Sequence, residues 1–238
     1  MGKPSARAGM GIMVLLILAA GRVVAAPPPA SAPPGFGPVR GEARATIDLE
    51  AGTVRIGDVE VDAVHRKIRF PASVNMTEGI LEYAVVGGQG KLHESLLRTD
   101  IEPYDLQMAL LLLGLRGGDN VRYQGDTRVP QGDRVRIWVE WESGGRSHRA
   151  RLERLIRNER LKGPMGDMDW VFTGSRVVDG VLMAQVERSI VAIYRDPLAI
   201  IDNPAPGAED DTIWSPNRET VPPEGHPVTV IIEAVGPE

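Results

Sequence analysis

The chain has 238 residues, a formal net charge of −5 and no cysteine. Without cysteine the chain cannot form a disulfide, a thiolate metal site or an iron–sulfur ligand set, so the fold depends on its core alone. The net negative charge argues against general binding to nucleic acid or to anionic lipid.

The first residues have the pattern of a secretory signal peptide. Lys3 and Arg7 precede an apolar run from Met10 to Ala20, and small residues follow up to Ala25. That run of about 11 residues is shorter than the roughly 20 needed to cross a bilayer, so the pattern predicts export rather than a membrane anchor. We place the cleavage after Ala25, which makes residues 1–25 the signal peptide. Its loss would remove three of the 27 basic residues and none of the 32 acidic ones, and 24 against 32 gives a net charge of −8.

A proline-rich linker is predicted at residues 26–41. Residues 26–38 contain six prolines and no charged side chain, a composition typical of an extended, polyproline-like spacer. Residues 42–238 are then expected to form one globular domain, because about 200 residues can bury a good-sized core.

Short β-branched runs between turn signals predict a sheet. Within Arg134 to Glu142, apolar and polar residues alternate with the two-residue period of a half-buried strand. A predominantly antiparallel β-sheet is the economical interpretation. The predicted strands are Ala45 to Leu49, Thr53 to Ile56, Val59 to Val64, Lys67 to Phe70, Ile80 to Val86, Arg134 to Glu142, Trp170 to Thr173, Val181 to Gln185, Ser189 to Tyr194 and Val228 to Ala234.

Two segments depart from the strand period and predict helices. In Pro103 to Leu115, leucines recur on one face, proline stands at the start and two glycines follow the end, which predicts a buried helix. In Arg149 to Leu161, a narrow apolar stripe faces a row of arginines, which predicts a short amphipathic helix. The expected fold class is therefore α+β, with one buried helix and one short amphipathic helix beside the sheet.

The passage from Asn203 to Pro227 is rich in proline and contains an isolated tryptophan, Trp214. A structureless connection of about 25 residues is unusual in a compact domain. An exposed indole would gain nothing in such a segment. We therefore expect the passage to lie against the domain with Trp214 as its anchor.

Three stretches resemble the YdjY-domain family of bacteria. Gly79 to Leu115 contains LEYAVVGGQGKLHESLL and PYDLQMALLLLGL, Asp169 to Arg176 contains DWVFTGSR, and Ser189 to Asn203 reads SIVAIYRDPLAIIDN. Trp214 and a VTVII strand follow in the same order. The resemblance covers most of residues 55–235 and implies an exported domain, but it brings no catalytic residue and no cofactor with it.

The candidate functional cluster is Lys91, His93, Glu94 and Ser95, which follow Gly90 directly. On a strand, Glu94 would point away from the other three, and on a helix His93 and Glu94 would diverge by about 100°, so these neighbours cannot bind one metal ion. One interpretation is a ligand or catalytic site. The other is that Glu94 is satisfied structurally by Lys91 or by backbone donors.

No metal site and no cofactor are predicted. The four histidines have no HxH or HExxH spacing, and the acidic run Glu209 to Asp211 lacks the pattern of a calcium loop. The arginines between Arg146 and Arg160 are interpreted as a solvated face rather than an anion site, because Glu153 and Glu159 interrupt them.

The leading functional hypothesis is a non-enzymatic binding or interaction module of the cell envelope, whose partner is an envelope protein or a small ligand. The alternative is a metal-dependent or His/carboxylate hydrolase that uses the Lys91–Glu94 segment together with Glu82 or Asp202. A third possibility is a structural subunit of an envelope complex. A cleft that contains His93 and two carboxylates would favour the enzyme, and a flat apolar surface around Trp138 or Trp214 would favour the interaction module.

Overall fold

The computed structural model describes residues 45–48 and 53–236. The predicted signal peptide and the whole predicted linker lie outside the described residues, as do residues 42–44 and 49–52 of the predicted domain. The elements in chain order are β1 (Ala45–Asp48), β2 (Thr53–Ile56), β3 (Val59–Asp62), β4 (Lys67–Val74), β5 (Tyr83–Gly87), β6 (Ser95–Thr99), α1 (Pro103–Leu112), β7 (Arg134–Ser143), β8 (Arg146–Arg151), β9 (Ile156–Asn158), β10 (Gly163–Pro164), β11 (Trp170–Phe172), β12 (Val177–Val178), β13 (Val181–Leu182), α2 (Met183–Glu187), β14 (Ser189–Ala192), β15 (Ile201–Asp202), β16 (Trp214–Pro216) and β17 (Pro227–Ala234).

Strands β4, β17, β7, β11, β15, β14, β5 and β6 pair in that order, and β6 pairs back with β4. This closed ring is an eight-stranded mixed barrel, which leaves its member strands without a free edge in the ring. The pairs β5–β6 and β14–β15 are parallel and the remaining pairs of the ring are antiparallel. The predicted strand-rich α+β domain is thus confirmed, in the form of a barrel.

The barrel interior is filled by the alternate side chains of its strands. In β7, Val135, Ile137 and Val139 are fully buried, whereas Arg134 and Arg136 point to solvent. Strands β1 to β3 extend the sheet beyond β4, and β8 pairs with β7 outside the ring.

Helix α1 forms where the sequence predicts it, but it is buried on one face only. Leu106, Ala109 and Leu110 are fully buried, whereas Leu111 and Leu112 are 46% and 54% exposed. The helix contacts β2 and β3. Neither strand belongs to the closed ring, so the helix packs outside the barrel. The prediction of a buried helix is therefore wrong for Tyr104, Met108, Leu111 and Leu112.

The predicted amphipathic helix at residues 149–161 is wrong. This stretch contains the end of β8, a single 3₁₀ turn at Leu152–Leu155 and the short strand β9. The turn buries Leu152 and Leu155 together, which reproduces the apolar spacing of a helix over one turn. Residues 183–185 were predicted as strand, and they belong instead to α2, which follows β13 directly.

The proline-rich passage packs through a small separate sheet. Strand β16 pairs with β9, which also pairs with β10. Trp214 begins β16, is 2% exposed, and donates from Nε1 to the Gly207 carbonyl oxygen at 3.2 Å. Within the described residues, no helix is long and apolar enough to cross a membrane.

Candidate functional site

Glu82 and Glu94 lie side by side where β5 and β6 begin. The two strands are parallel, with Tyr83 opposite Ser95, so the residues just before this pair are neighbours as well. The Glu82 backbone N–H donates to the Glu94 carbonyl oxygen at 2.9 Å. Adjacent residues of parallel strands share a face of the sheet, and this register therefore places two carboxylates next to each other.

Lys91 and Gln124 complete the group, which we call the carboxylate cluster: Glu82, Lys91, Glu94 and Gln124. The Lys91 Nζ atom is 3.8 Å from Glu94 Oε1 and donates to the Tyr83 hydroxyl at 3.0 Å. The Gln124 Nε2 atom donates to Glu82 Oε2 at 2.8 Å. Lys91 is thus the cation that faces both the Glu94 carboxylate and the Tyr83 ring, whose centroid is 5.0 Å from Nζ.

The carboxylate cluster disfavours ionisation of one of its acids. Burial is the largest cause that raises the pKa of Glu82 above its ordinary value, and the neighbouring Glu94 charge adds to it, while Lys91 opposes both. Two carboxylates placed together hold a proton more readily than one alone. The arrangement can therefore donate and accept a proton at one point of the surface.

A buried polar chain extends from the cluster toward the core. The Tyr83 hydroxyl donates to Asp196 Oδ2 at 2.8 Å, and the Asp196 backbone N–H donates to Asp202 Oδ2 at 3.2 Å. Asp202 is fully buried and also accepts from the Asn203 backbone N–H at 2.7 Å. Burial raises the pKa of Asp202 to about 8, so its carboxyl group carries a proton through much of the neutral range.

Of the four residues that the sequence predicts as a functional cluster, the structure brings only some together. Residues 92–94 form a 3₁₀ turn, which brings Lys91 and Glu94 together. His93 is 79% exposed at its side chain, with Nε2 at 3.4 Å from Glu94 Oε2. Ser95 is buried in β6, and its hydroxyl donates to the Lys91 carbonyl oxygen at 2.6 Å.

Sequence reasoning missed the partners Tyr83, Gln124 and Asp196. For Asp196 the available signal was the segment SIVAIYRDPLAIIDN, in which acids interrupt an apolar run. Nothing in the sequence indicated that Gln124 contacts Glu82, because Gln124 lies in an irregular loop far from β5 in sequence. Among the described residues, no group of three or more histidine or acidic side chains is placed to hold a metal ion.

Trp138 and Trp214, around which a flat apolar surface would favour an interaction module, do not expose such an area. Trp214 is buried, as described above. The Arg149 guanidinium lies over the Trp138 ring at 4.3 Å from its centroid, and the Trp138 Nε1 atom donates to Glu233 Oε2 at 3.0 Å. Arg149, Arg154, Arg157 and Arg160 each form a part-exposed ion pair with an acid, which agrees with a solvated face. The expectation is wrong for Arg151, which pairs at 2.8 Å with the fully buried Glu153.

Several exposed apolar side chains lie together on α1 instead. Tyr104, Met108, Leu111 and Leu112 form its outward stripe and are 44%, 38%, 46% and 54% exposed. Helix α2 lies beside α1, because the Tyr104 backbone N–H donates to Gln185 Oε1 at 2.9 Å. The next residue, Val186, is also exposed. We call these five residues the α1 surface.

The β12–β13 hairpin, which precedes α2 directly, adds further exposed valines. Val177, Val178 and Val181 each expose two fifths or more of their surface.

The surface also has two depressions. Charged residues line one of about 460 Å³ near Arg157 and Arg218, where Arg218 pairs with Glu78 at 2.5 Å. Another, of about 640 Å³, lies beside Trp141 and His148, whose rings stack at 5.3 Å.

The molecule is thus a strand-rich barrel domain with a polar cluster at the start of two parallel strands and an apolar helix face outside the barrel. A sequence profile of the YdjY domain matches residues 59–233, and the chain belongs to the YdjY domain family. The matched region includes both the carboxylate cluster and the α1 surface. Comparisons with curated proteins and with solved structures gave no match.

Proposed function

We propose that this domain is a non-enzymatic interaction module of the cell envelope and that a partner protein binds to its α1 surface. The observation that carries the proposal is that α1 is apolar on both faces, although the rest of the domain covers only one of them. A helix that is hydrophobic all round is normally buried all round. We therefore expect the exposed face of α1 to be buried when a partner protein packs against it.

The composition of the α1 surface supports this function. Tyrosine and methionine are enriched at protein interfaces, and charged residues are depleted from interface cores. Each square ångström of apolar surface that a partner removes from water contributes about 25 cal/mol. The α1 surface thus offers a favourable binding energy that the carboxylate cluster, with its charged groups, does not.

The envelope setting is part of the proposal and depends on the amino-terminal pattern. Lys3, Arg7 and the apolar run from Met10 to Ala20 are typical of a signal peptide. The absence of cysteine is compatible with an oxidising compartment, since no free thiol is exposed to oxidation there.

Site-specific crosslinking in the producing cells tests the interaction. A photoreactive amino acid at Leu111 should give one discrete crosslinked species with another protein. The same group at Leu161, which is 75% exposed in the turn between β9 and β10, serves as the control. The partner identified by mass spectrometry is then purified, and its complex with the parent domain should dissociate in Leu111→Ser. Equal crosslinking at both positions, or a complex that Leu111→Ser leaves intact, would refute the proposal.

The carboxylate cluster favours a second candidate, a hydrolase of the envelope. Glu82 and Glu94 are adjacent, and the raised pKa of Glu82 suits a general acid beside a carboxylate that activates water. Hydrolysis of fluorogenic ester, peptide, glycoside and phosphate substrates by the purified domain tests it. Activity that falls in both Glu82→Gln and Glu94→Gln, but not in His93→Ala, would support the hydrolase, and the same low rate in all four proteins would exclude it for these substrates.

A further inference from the structure

One end of the α1 surface is acidic. Glu102 precedes α1 and Asp105 lies in its first turn. The turn between β2 and β3 brings Asp58 to the same end, because Gly57 in that turn lies against the Asp105 carboxylate. Gly57 has a φ of 56°, which favours glycine, and a side chain there would force the Asp105 carboxylate to move.

The negative charge at this end is only partly compensated. Glu102 pairs with Arg188 at 2.6 Å. After burial, the charges of Glu102 and Asp58 are the causes that raise the pKa of Asp105. A carboxylate whose pKa rises through its neighbours lies in a negative field, which a cation from outside would relieve.

We infer that the partner of the α1 surface presents a cationic amphipathic helix, with an apolar stripe for α1 and a lysine or arginine for Asp58 and Asp105. This inference rests on the proposed interaction function and adds the chemistry of the partner. A bound helix also fits the shape, because Tyr104, Met108, Leu111 and Leu112 form a ridge about 12 Å long at 1.5 Å per residue. Ridges of this kind pack into the grooves of a second helix.

Two other occupants fit the charges less well. An anionic membrane surface would be repelled by Asp58 and Asp105, since such surfaces attract basic rather than acidic segments. A second copy of the chain would bring the same acidic residues to the interface. The negative charges of one copy would then face the negative charges of the other. Complementary charge at the rim of an interface favours the correct partner and speeds its association.

Two synthetic peptides of identical pattern serve as probes. Both have leucine on one helical face, and the polar face is lysine in one peptide and glutamate in the other. Fluorescence anisotropy of labelled peptide reports binding to the full-length mature domain. The lysine peptide should bind, and its affinity should fall between about 0.1 M and 1 M salt, where the screening length drops from about 10 to 3 Å. The glutamate peptide should not bind measurably.

Matched variants separate the apolar and the charged contributions. Leu111→Ser with Leu112→Ser should abolish binding of the lysine peptide, whereas Leu161→Ser should not change it. Asp58→Asn with Asp105→Asn should weaken binding roughly five- to tenfold and reduce its salt dependence, because rim charges contribute modestly. Circular dichroism confirms that each variant folds. Asparagine suits the β2–β3 turn, and loss of a carboxylate that its neighbours disfavour does not threaten the fold.

The outcomes distinguish this inference from the proposed function. Equal affinity for the two peptides, or no effect of the asparagine substitutions, overturns the cationic helix. If crosslinking at Leu111 still identifies a partner, the interaction function stands with a different partner chemistry. A parent domain that binds neither peptide, and that self-associates in sedimentation unless Leu111→Ser is present, identifies a second copy as the occupant and overturns the inference.

Discussion

Glu82 and Glu94 are joined by a backbone hydrogen bond of 2.9 Å, and their carboxylates share one face at the start of two parallel strands. The strand register alone places the two residues next to each other. It follows that the ionisation of one acid depends on the charge of the other, whatever the domain binds.

The first prediction concerns this coupling. Glu94→Gln should lower the pKa of Glu82 toward its ordinary value, because a neighbouring negative charge is removed while burial remains. An NMR titration of the Glu82 side-chain carboxyl carbon measures the change. Asp211→Asn is the control and should have a smaller effect, because Asp211 raises the pKa of Glu82 less than Glu94 does. An unchanged Glu82 titration in Glu94→Gln would show that the two acids do not interact.

The second prediction is a pH dependence of stability from Asp202. Its folded pKa of about 8 lies above the ordinary value of 3.8. Because the pKa of Asp202 is higher in the folded state, its protonated form favours folding. The contribution of Asp202 to the free energy of unfolding is therefore largest below about pH 4. The contribution is then lost as the pH rises toward about 8, by an amount on the order of a few kcal/mol.

Asp202→Asn should remove most of that decline, because the amide does not ionise. Urea unfolding at several values between pH 4 and 9 gives the slope for both proteins. Asp179→Asn, in the exposed β12–β13 turn, controls for a change in net charge. Parallel pH profiles of the parent and Asp202→Asn would contradict the prediction.

The third prediction compares the two faces of α1. Leu110→Ala should lower the free energy of unfolding by about 2–5 kcal/mol, because Leu110 is fully buried and leaves a cavity. Leu112→Ala, two residues away and half exposed, should cost less than about 1 kcal/mol. Denaturant unfolding of both variants is the measurement. Similar losses would mean that the outer face is covered in the isolated domain.

The fourth prediction concerns Trp214. If the ring only anchored the proline-rich passage, Trp214→Ala would loosen that passage alone. Because the ring is buried in the core and begins β16, we now expect a loss of about 3–5 kcal/mol in the unfolding free energy. Melting followed by circular dichroism reports it. Trp141→Ala, at a half-buried ring near the end of β7, should cost less, and equal losses would argue against the core position of Trp214.

The sequence predicted those parts of the fold that depend on local pattern. The alternation in β7 and the proline that begins α1 are local signals, and both elements form within a few residues of the expected bounds. Barrel closure has no such signal, because it depends on Ser73 pairing with Arg98 and Val74 with Leu97 in strands that could equally end a flat sheet. One 3₁₀ turn at Leu152–Leu155 was enough to imitate a helix.

The candidate site was predicted only in part for the same reason. Lys91 and Glu94 lie close together in the chain, and their pairing follows from one turn. Gln124 and Asp196 reach Glu82 and Tyr83 through the folded barrel, and nothing in their local sequence indicates that contact. The exposure of Leu111 and Leu112 was missed because a run of leucines indicates burial without indicating what covers it.

Strand β17 lies between β4 and β7, although more than half of the described chain separates β4 from it. Until residues 227–234 have been synthesised, β4 and β7 each keep an unpaired edge, and the hydrophobic interior stays open. The barrel therefore cannot close progressively as the chain emerges, and its assembly must be a late, cooperative and comparatively slow event. A ribosome that stops before Pro227 would release a chain with two adhesive strand edges, which makes truncated products prone to aggregate.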